Sequence, residues 1–220
     1  MLDILKAGSW PMLPIVVASL LMLGIVVERF WTLRRSAVLP TGLLDEVRAL
    51  LRARKLDAQH LQALIENSPL GELLAAALSV RRQPRDIIKE RIEDTGRHVV
   101  HRMERYLNTL GTIALVSPLL GLFGTVIGLI HMFLAVMVSG VGDPMKMAGG
   151  IGEALICTAA GLVVAIPAYV LHRYFRSRVG GLVVDMERQA MTLLDELTAA
   201  PATARARGAT PAAPAAPARG

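Results

Sequence analysis

The chain has 220 residues, 53% of them hydrophobic, and carries 24 Lys and Arg against 18 Asp and Glu. The hydrophobic residues are gathered into three long runs almost free of charge, without the amphipathic period that helices of a soluble protein show. Basic and acidic residues are interleaved in the middle of the chain, which disfavours a nucleic-acid-binding surface. A single cysteine, Cys157, excludes an internal disulfide. The composition therefore predicts an all-α integral membrane protein.

Three segments are apolar and long enough to cross a bilayer, whose hydrocarbon core needs about 20 helical residues. Residues 11–27 carry no charge, residues 106–142 carry no Asp, Glu, Lys or Arg, and residues 147–171 carry Glu153 alone. We therefore predict three transmembrane helices, over residues 10–30, 108–139 and 148–172.

Lys and Arg are distributed asymmetrically around these spans, with 15 between Arg29 and Arg105 and 7 after Tyr169. Because positive charge stays on the cytoplasmic side of a membrane, the N-terminus is predicted to be external. The charge follows the first apolar run instead of preceding it, which argues against a cleaved signal peptide. The other predicted parts are an external lead (1–9), a cytoplasmic helical domain (31–107), an external turn (140–147), a cytoplasmic helical extension (173–198) and a disordered cytoplasmic tail (199–220).

The segment between the first two spans is predicted to be helical. Leu43–Lys55 and Asp57–Glu66 have apolar residues at helical spacing, and Ser68-Pro69 has the form of an N-cap followed by proline at the first helical position. A further apolar stripe runs from Asp86 into the second span without a helix-stopping cluster, which predicts one long helix over Asp86–Val138.

Glu153 is an acid within the third span. Counted from Pro144 it lies about 14 Å along the helix, where a charged side chain costs several kcal/mol or more and persists only against protein or water. A carboxyl in such a place can take up and release protons, as in membrane proton relays. The alternative is a structural acid that hydrogen-bonds a neighbouring helix.

The second and third spans each carry a face of small residues that allows another helix to approach closely. On the third span Thr158 lies about 140° from Glu153, whereas five small or medium residues lie within about 60° of it: Gly149, Cys157, Ala160, Val164 and Ala168. Three helices enclose no pathway, so the small faces predict a homo-oligomer. The candidate packing residues are Gly121, Gly124 and Gly128 on the second span, beside Thr125, and Gly149 and Gly161 on the third.

The segments "SPLLGLFGTVIGL" and "GGIGEALICTAAGLVVAIPAYVLHRYF" resemble the paired signature of the ExbB/TolQ family, inner-membrane components of energy-transducing complexes. The resemblance covers about residues 115–172 in motif and 1–197 in layout. It implies a pentamer in the Gram-negative inner membrane, with a periplasmic N-terminus and a cytoplasmic C-terminus. Its central lumen would hold an ExbD/TolR-like single-span partner, and proton entry would drive a TonB- or TolA-like protein. By motif position, Glu153 matches the family's acid and Thr125 and Thr158 match its lumen threonines.

The resemblance leaves several functions open. The first is an ExbB-like proton-driven motor subunit, and the second is a TolQ-like subunit of the Tol-Pal envelope system. A flagellar-type stator would have four spans instead of three. A scaffold that assembles the partner without conducting protons belongs to a different class. No nucleophile–base pair, metal cluster or cofactor motif is visible, so we expect no enzymatic activity and no cofactor, and His131 has no assigned role.

Overall fold

The computed structural model describes residues 10–53, 56–139 and 144–208. Within these ranges the chain is helical and contains no strand, which confirms the predicted all-α class. The predicted external lead (1–9) and residues 140–143 of the predicted external turn lie outside the described residues. The helices are α1 (Met12–Thr32), α2 (Arg35–Val38), α3 (Leu43–Arg52), α4 (Ala58–Asn67), α5 (Pro69–Ser79), α6 (Arg85–Met103), α7 (Leu107–Ser139) and α8 (Pro144–Gly208).

Three stretches are long and apolar enough to cross a membrane: Met12–Thr32, Arg85–Met137 and Met147–Ala199. Large apolar side chains along all three are exposed, among them Leu20 (64%), Leu119 (57%) and Val163 (71%). A soluble monomer rarely exposes contiguous apolar surface of this extent, whereas a helix in lipid does so as a rule. The protein is therefore a membrane protein with three apolar spans, as predicted.

The chain divides into two compact units at Arg34, His101 and Gly181. The membrane unit contains α1, α7 and the part of α8 up to Gly181. The helical unit contains Arg35–Val100 and the part of α8 from Leu182 onward.

The helix predicted over Asp86–Val138 is interrupted in the membrane unit. A turn over residues 104–106 separates α6 from α7, with the N–H of Leu107 donating to the carbonyl of Glu104 at 2.9 Å. The prediction of one helix was wrong here because no proline or glycine marks the turn, which is stabilised by contacts from a distant part of the chain.

Arg29, near the end of α1, supplies these contacts. Its side chain is buried (3% exposed), and its Nη1 donates to the carbonyl of Met103, the last residue of α6, at 2.9 Å. Its guanidinium also lies 5.0 Å from the ring centroid of Tyr106 and pairs with Glu28 at 2.8 Å. A cation at the C-terminus of a helix satisfies its last carbonyls and complements its dipole. Arg29 thus stabilises the end of α6 at this turn.

The helical unit contains a packed pair of helices, α4 and α5. The hydroxyl of Ser68 accepts from the N–H of Gly71 at 3.1 Å, and Pro69 opens α5, so the predicted cap is present. Gly71 faces the backbone of Leu64 so closely that an added Cβ would overlap its carbonyl oxygen. Close packing of α4 on α5 therefore requires glycine at this position.

Carboxylates on the last part of α8 pair with arginines elsewhere in the helical unit. Asp185 pairs with Arg35, Asp195 with Arg85 and Glu196 with Arg48. The hydrogen bond that Arg48 donates to Glu196, and to a smaller extent the one it donates to Asp45, raises the pKa of the Arg48 guanidinium, which therefore stays cationic. Each exposed pair adds little stability alone, but the three together favour one register of α8 against its neighbours.

The predicted disordered tail, 199–220, is partly helical. Helix α8 continues to Gly208, because Ala and Arg, which dominate residues 199–208, have high helix propensity. The rest of that tail lies outside the described residues.

Substituting Gly71→Ala should destabilise the full chain, because the added methyl group forces α4 and α5 apart. We expect a loss of about 2 kcal/mol and a melting temperature about 5 °C lower in detergent, measured by far-ultraviolet circular dichroism. Gly96→Ala is the matched control, since an added Cβ on α6 meets nothing within 4 Å and alanine favours the helix. Equal melting temperatures for the two variants would contradict the packing described here.

Candidate functional site

In the membrane unit, α7 and α8 approach each other closely along a strip of small residues, which we call the seam. A Cβ added at Gly124 would lie 2.5 Å from Cβ of Cys157, and one at Gly128 would lie 3.0 Å from Cβ of Ala154. Such distances leave no room for a side chain, so the two backbones are nearly in contact. The residues of the seam are Ser117, Gly121, Gly124 and Gly128 on α7, and Ala154, Cys157, Thr158 and Gly161 on α8.

The predicted packing glycines occupy different positions relative to this seam. A Cβ at Gly161 would lie 2.6 Å from the carbonyl oxygen of Ser117, and one at Gly121 would lie 3.0 Å from that of Cys157. Gly149 has open space around it, and its packing role stays a prediction. Gly150, which the sequence analysis did not select, lies against Met132 instead.

The small faces of the second and third spans therefore meet each other within one chain. From the sequence alone these faces are predicted to be surfaces for association between chains. Because the seam already occupies these residues, apart from Gly149, any contact between copies of this chain would use other surfaces of α1, α7 and α8.

Both candidate threonines donate their hydroxyl protons to backbone carbonyls. Thr158 lies in the seam and donates to the carbonyl of Gly121 on α7 at 3.3 Å. Thr125, next to Gly124, donates to the carbonyl of Leu122 on its own helix at 2.6 Å. Each hydroxyl oxygen keeps lone pairs that can accept a further hydrogen bond.

Glu153 lies at the edge of the seam. It precedes Ala154, which faces Gly128, and it stands one turn before Cys157, which is fully buried. Its side chain is half-buried. At 100° per residue, Glu153 and Thr158 lie about 140° apart on α8, so the hydroxyl points into the seam while the carboxyl flanks it.

Two polar residues of the membrane unit were missed by the sequence analysis. The hydroxyl of Ser117 is fully buried in the seam, without a hydrogen-bond partner among the described residues. The ring of His172 lies against Gly111, where an added Cβ would be 3.1 Å from its Nε2. For Ser117, the one signal in the sequence was a serine placed directly before Pro118 inside an apolar run. For His172, nothing in the sequence distinguishes a packed histidine from one at the membrane interface. His131 is exposed.

Metal binding has no support in the part of the chain that the structure describes. No group of three His, Cys, Asp or Glu side chains there is arranged to hold a metal ion. His98 and His101 lie three residues apart on α6, the spacing of a weak metal-binding pair, and they have no third protein ligand within the described ranges.

The sequence over residues 65–188 matches the MotA/TolQ/ExbB proton channel family. This match spans more than half of the chain and includes Thr125, Glu153 and Thr158. The chain belongs to this family. The resemblance noted in the sequence is thereby confirmed, and the family is one of membrane channel and transport proteins and not of enzymes.

Several relatives carry the name ExbB. The chain is 36% identical over 181 residues to the putative biopolymer transport protein ExbB-like 1 of Synechocystis sp., covering 79% of this chain and 69% of that protein. It is 32% identical over 180 residues to the biopolymer transport protein ExbB of Salmonella typhimurium, covering 77% and 72%. It is 36% identical over 131 residues to the putative ExbB homolog of Methanothermobacter thermautotrophicus, covering 60% and 44%.

Substituting Gly124→Ala should separate α7 from α8 and lower the melting temperature in detergent by about 5 °C, the effect of roughly 2 kcal/mol of overpacking. Gly24→Ala on α1 is the control, because an added Cβ there meets nothing within 4 Å. Adding Cys157→Gly removes the opposing Cβ, and the double variant should regain part of the loss. The effects of substitutions at residues in contact are not additive. If the melting temperature of the double variant fell by the sum of the two single decreases, Gly124 and Cys157 would not be in contact, and the packing described for the seam would be wrong.

Proposed function

We propose that this chain is an ExbB-like subunit of a motor driven by the proton-motive force in the inner membrane of a Gram-negative bacterium. The observation that carries the proposal is Glu153, a carboxyl at bilayer depth beside a hydroxyl-containing seam, in a chain of the proton channel family. In this role it energises a TonB-like protein for transport across the outer membrane.

The half-buried position of Glu153 supports a homo-oligomer. Within a single chain its exposed part would face lipid, which is a costly place for an ionisable group. Further copies of the chain turn that surface into a protein-lined interior, and the exposed apolar faces of α1, of α7 and of the part of α8 around Glu153 provide the contacts. A pentamer around an ExbD/TolR-like single-span partner is the arrangement that family membership favours.

The proposed topology has a periplasmic N-terminus and a cytoplasmic C-terminus. It follows from the arginines at the membrane ends, by the positive-inside rule. Arg29 lies near the C-terminal end of α1, and Arg173 and Arg176 follow the apolar part of α8. The proposal therefore has these two membrane ends on the cytoplasmic side. The helical unit is then the cytoplasmic domain.

In this proposal Glu153 takes up and releases the proton, and the two threonines support its path. The hydroxyl oxygens of Thr125 and Thr158 accept hydrogen bonds from water or from a protonated carboxyl, since their own protons are already donated to carbonyls. The partner supplies the second protonatable group in its own span. Movement of protons between the two then changes how the partner sits in the lumen.

Two alternatives use the same residues differently. A TolQ-like subunit of the Tol-Pal system has the same chemistry and another protein partner. In a non-conducting scaffold, Glu153 would only hydrogen-bond a neighbouring helix. The scaffold is favoured by one observation, the position of Glu153 at the edge of a packed helix contact.

The test is Glu153→Gln in the chain co-expressed with an ExbD/TolR-like single-span protein. Glutamine keeps the size and hydrogen-bonding groups but cannot carry a proton, so we expect proton uptake into proteoliposomes to fall at least tenfold. Native mass spectrometry should find the complex unchanged. Glu90→Gln, an exposed acid on α6, is the charge-matched control.

Normal proton uptake by the Glu153→Gln variant, with the complex intact, would show that Glu153 carries no proton and would favour a scaffold that has no ion pathway through its own residues. Loss of the complex itself would assign Glu153 to assembly. A chain that forms no oligomer and takes up no partner would remove the shared interior on which the proposal depends.

A further inference from the structure

A groove of about 810 Å³ lies along α8 in the membrane unit, between Tyr169 and Ser177. It begins at Tyr169, near the end of the apolar run of residues 147–171 in which Glu153 is the only charged residue, at the boundary between apolar and polar sequence. The groove is separate from Glu153 and the seam threonines, and nothing in the proposed motor uses it.

One end of the groove is cationic. Arg173 and Arg176 line it and are exposed, and neither forms an ion pair or a hydrogen bond to another side chain or carbonyl among the described residues. Arg178, two residues further on, donates to the carbonyl of Leu33 at 3.0 Å, and Arg29 is bound to Met103. Arg173 and Arg176 therefore present donors for a ligand, whereas Arg178 and Arg29 are committed to the fold.

The other end of the groove is apolar. Val170 lines it with 59% of its surface exposed, and the exposed side chains of Ile166 (61%) and Val163 (71%) extend the apolar face into the span. Tyr169 and Tyr174 stand between the two ends, at the level where aromatic rings with a polar tip are found in membrane proteins. Tyr174 is packed against Phe175, with 5.4 Å between ring centroids, and against Phe30 of α1 at 6.1 Å.

We propose that this groove binds an anionic phospholipid. Arg173 and Arg176 hold the phosphate and the charged headgroup, the hydroxyl of Ser177 adds a donor, and one acyl chain lies along Val170 and Ile166. Arginine favours phosphate because its planar donors match the phosphate oxygens. The apolar extension selects a lipid over free phosphate, which would gain nothing from it.

The proposal requires the membrane placement of α8 but not proton conduction. A chain that binds lipid here and conducts no protons would leave the groove assigned and the motor rejected. A chain that conducts protons but binds no lipid here would support the motor and reject the groove as a lipid site.

The test uses the full chain purified in detergent and titrated with phosphatidylglycerol, with bound lipid counted by native mass spectrometry. The wild-type chain should bind phosphatidylglycerol about tenfold more tightly than phosphatidylcholine, the effect of one to two charge-assisted contacts. The Arg173→Gln/Arg176→Gln variant should lose this preference. The charge-matched control, Arg91→Gln/Arg188→Gln, removes two exposed arginines of the helical unit and should keep it.

Four results would overturn the proposal. Equal binding of the two lipids by the wild-type chain, which needs no variant to fold, would leave only an apolar groove. Equal losses in the two double variants would reduce the effect to net charge. Binding of glycerol 3-phosphate as tight as that of the lipid would assign the arginines to a soluble anion, and displacement of the lipid by an ExbD/TolR-like partner would assign them to a protein.

Discussion

The contact between α7 and α8 sets the geometry of the membrane unit. Gly124 faces Cys157 with no space for a Cβ, and Gly128 faces Ala154 almost as closely. At this separation a threonine on α8 can reach a carbonyl on α7, which it does at Gly121. Larger residues on either side would move the helices apart, break that hydrogen bond and rotate Glu153 away from its place beside the seam. The glycines thus position the polar groups without taking part in any chemistry themselves.

The same contact explains why Glu153 lies where other chains can reach it. The seam uses the small residues of both helices, so the carboxyl is held at its edge and not inside it. There Glu153 is half-buried, at a depth where exposure of the remaining surface to lipid is costly. Further chains packed against this edge would cover that surface. The cost of exposing Glu153 to lipid therefore favours a homo-oligomer. The exposed apolar surface of the three helices favours the same arrangement.

The extent of the helices was predictable where local sequence decides it. Hydropathy located all three spans, and the Ser68-Pro69 dipeptide located the start of α5, because both signals act within a few residues. The turn between α6 and α7 was not predictable, since Arg29 reaches Met103 across 74 positions of sequence. Gly121, Gly124, Gly128 and Gly161 lie in the seam, whereas Gly149 has open space around it and Gly150 was not predicted. The helix that these glycines face was not predictable, because a small face shows only that some helix approaches and not whether that helix belongs to the same chain.

The arginines at the membrane ends also differ in ways that the sequence does not reveal and the structure does. In the sequence they are equivalent charges that orient the chain. In the structure Arg29 and Arg178 bind carbonyls inside the membrane unit, while Arg173 and Arg176 stand exposed at the end of an apolar groove. Only the second pair can contact a ligand without breaking the fold. All four arginines contribute to orientation of the chain by positive charge. The proposed recognition of a headgroup uses only Arg173 and Arg176, because their side chains do not bind other parts of the membrane unit.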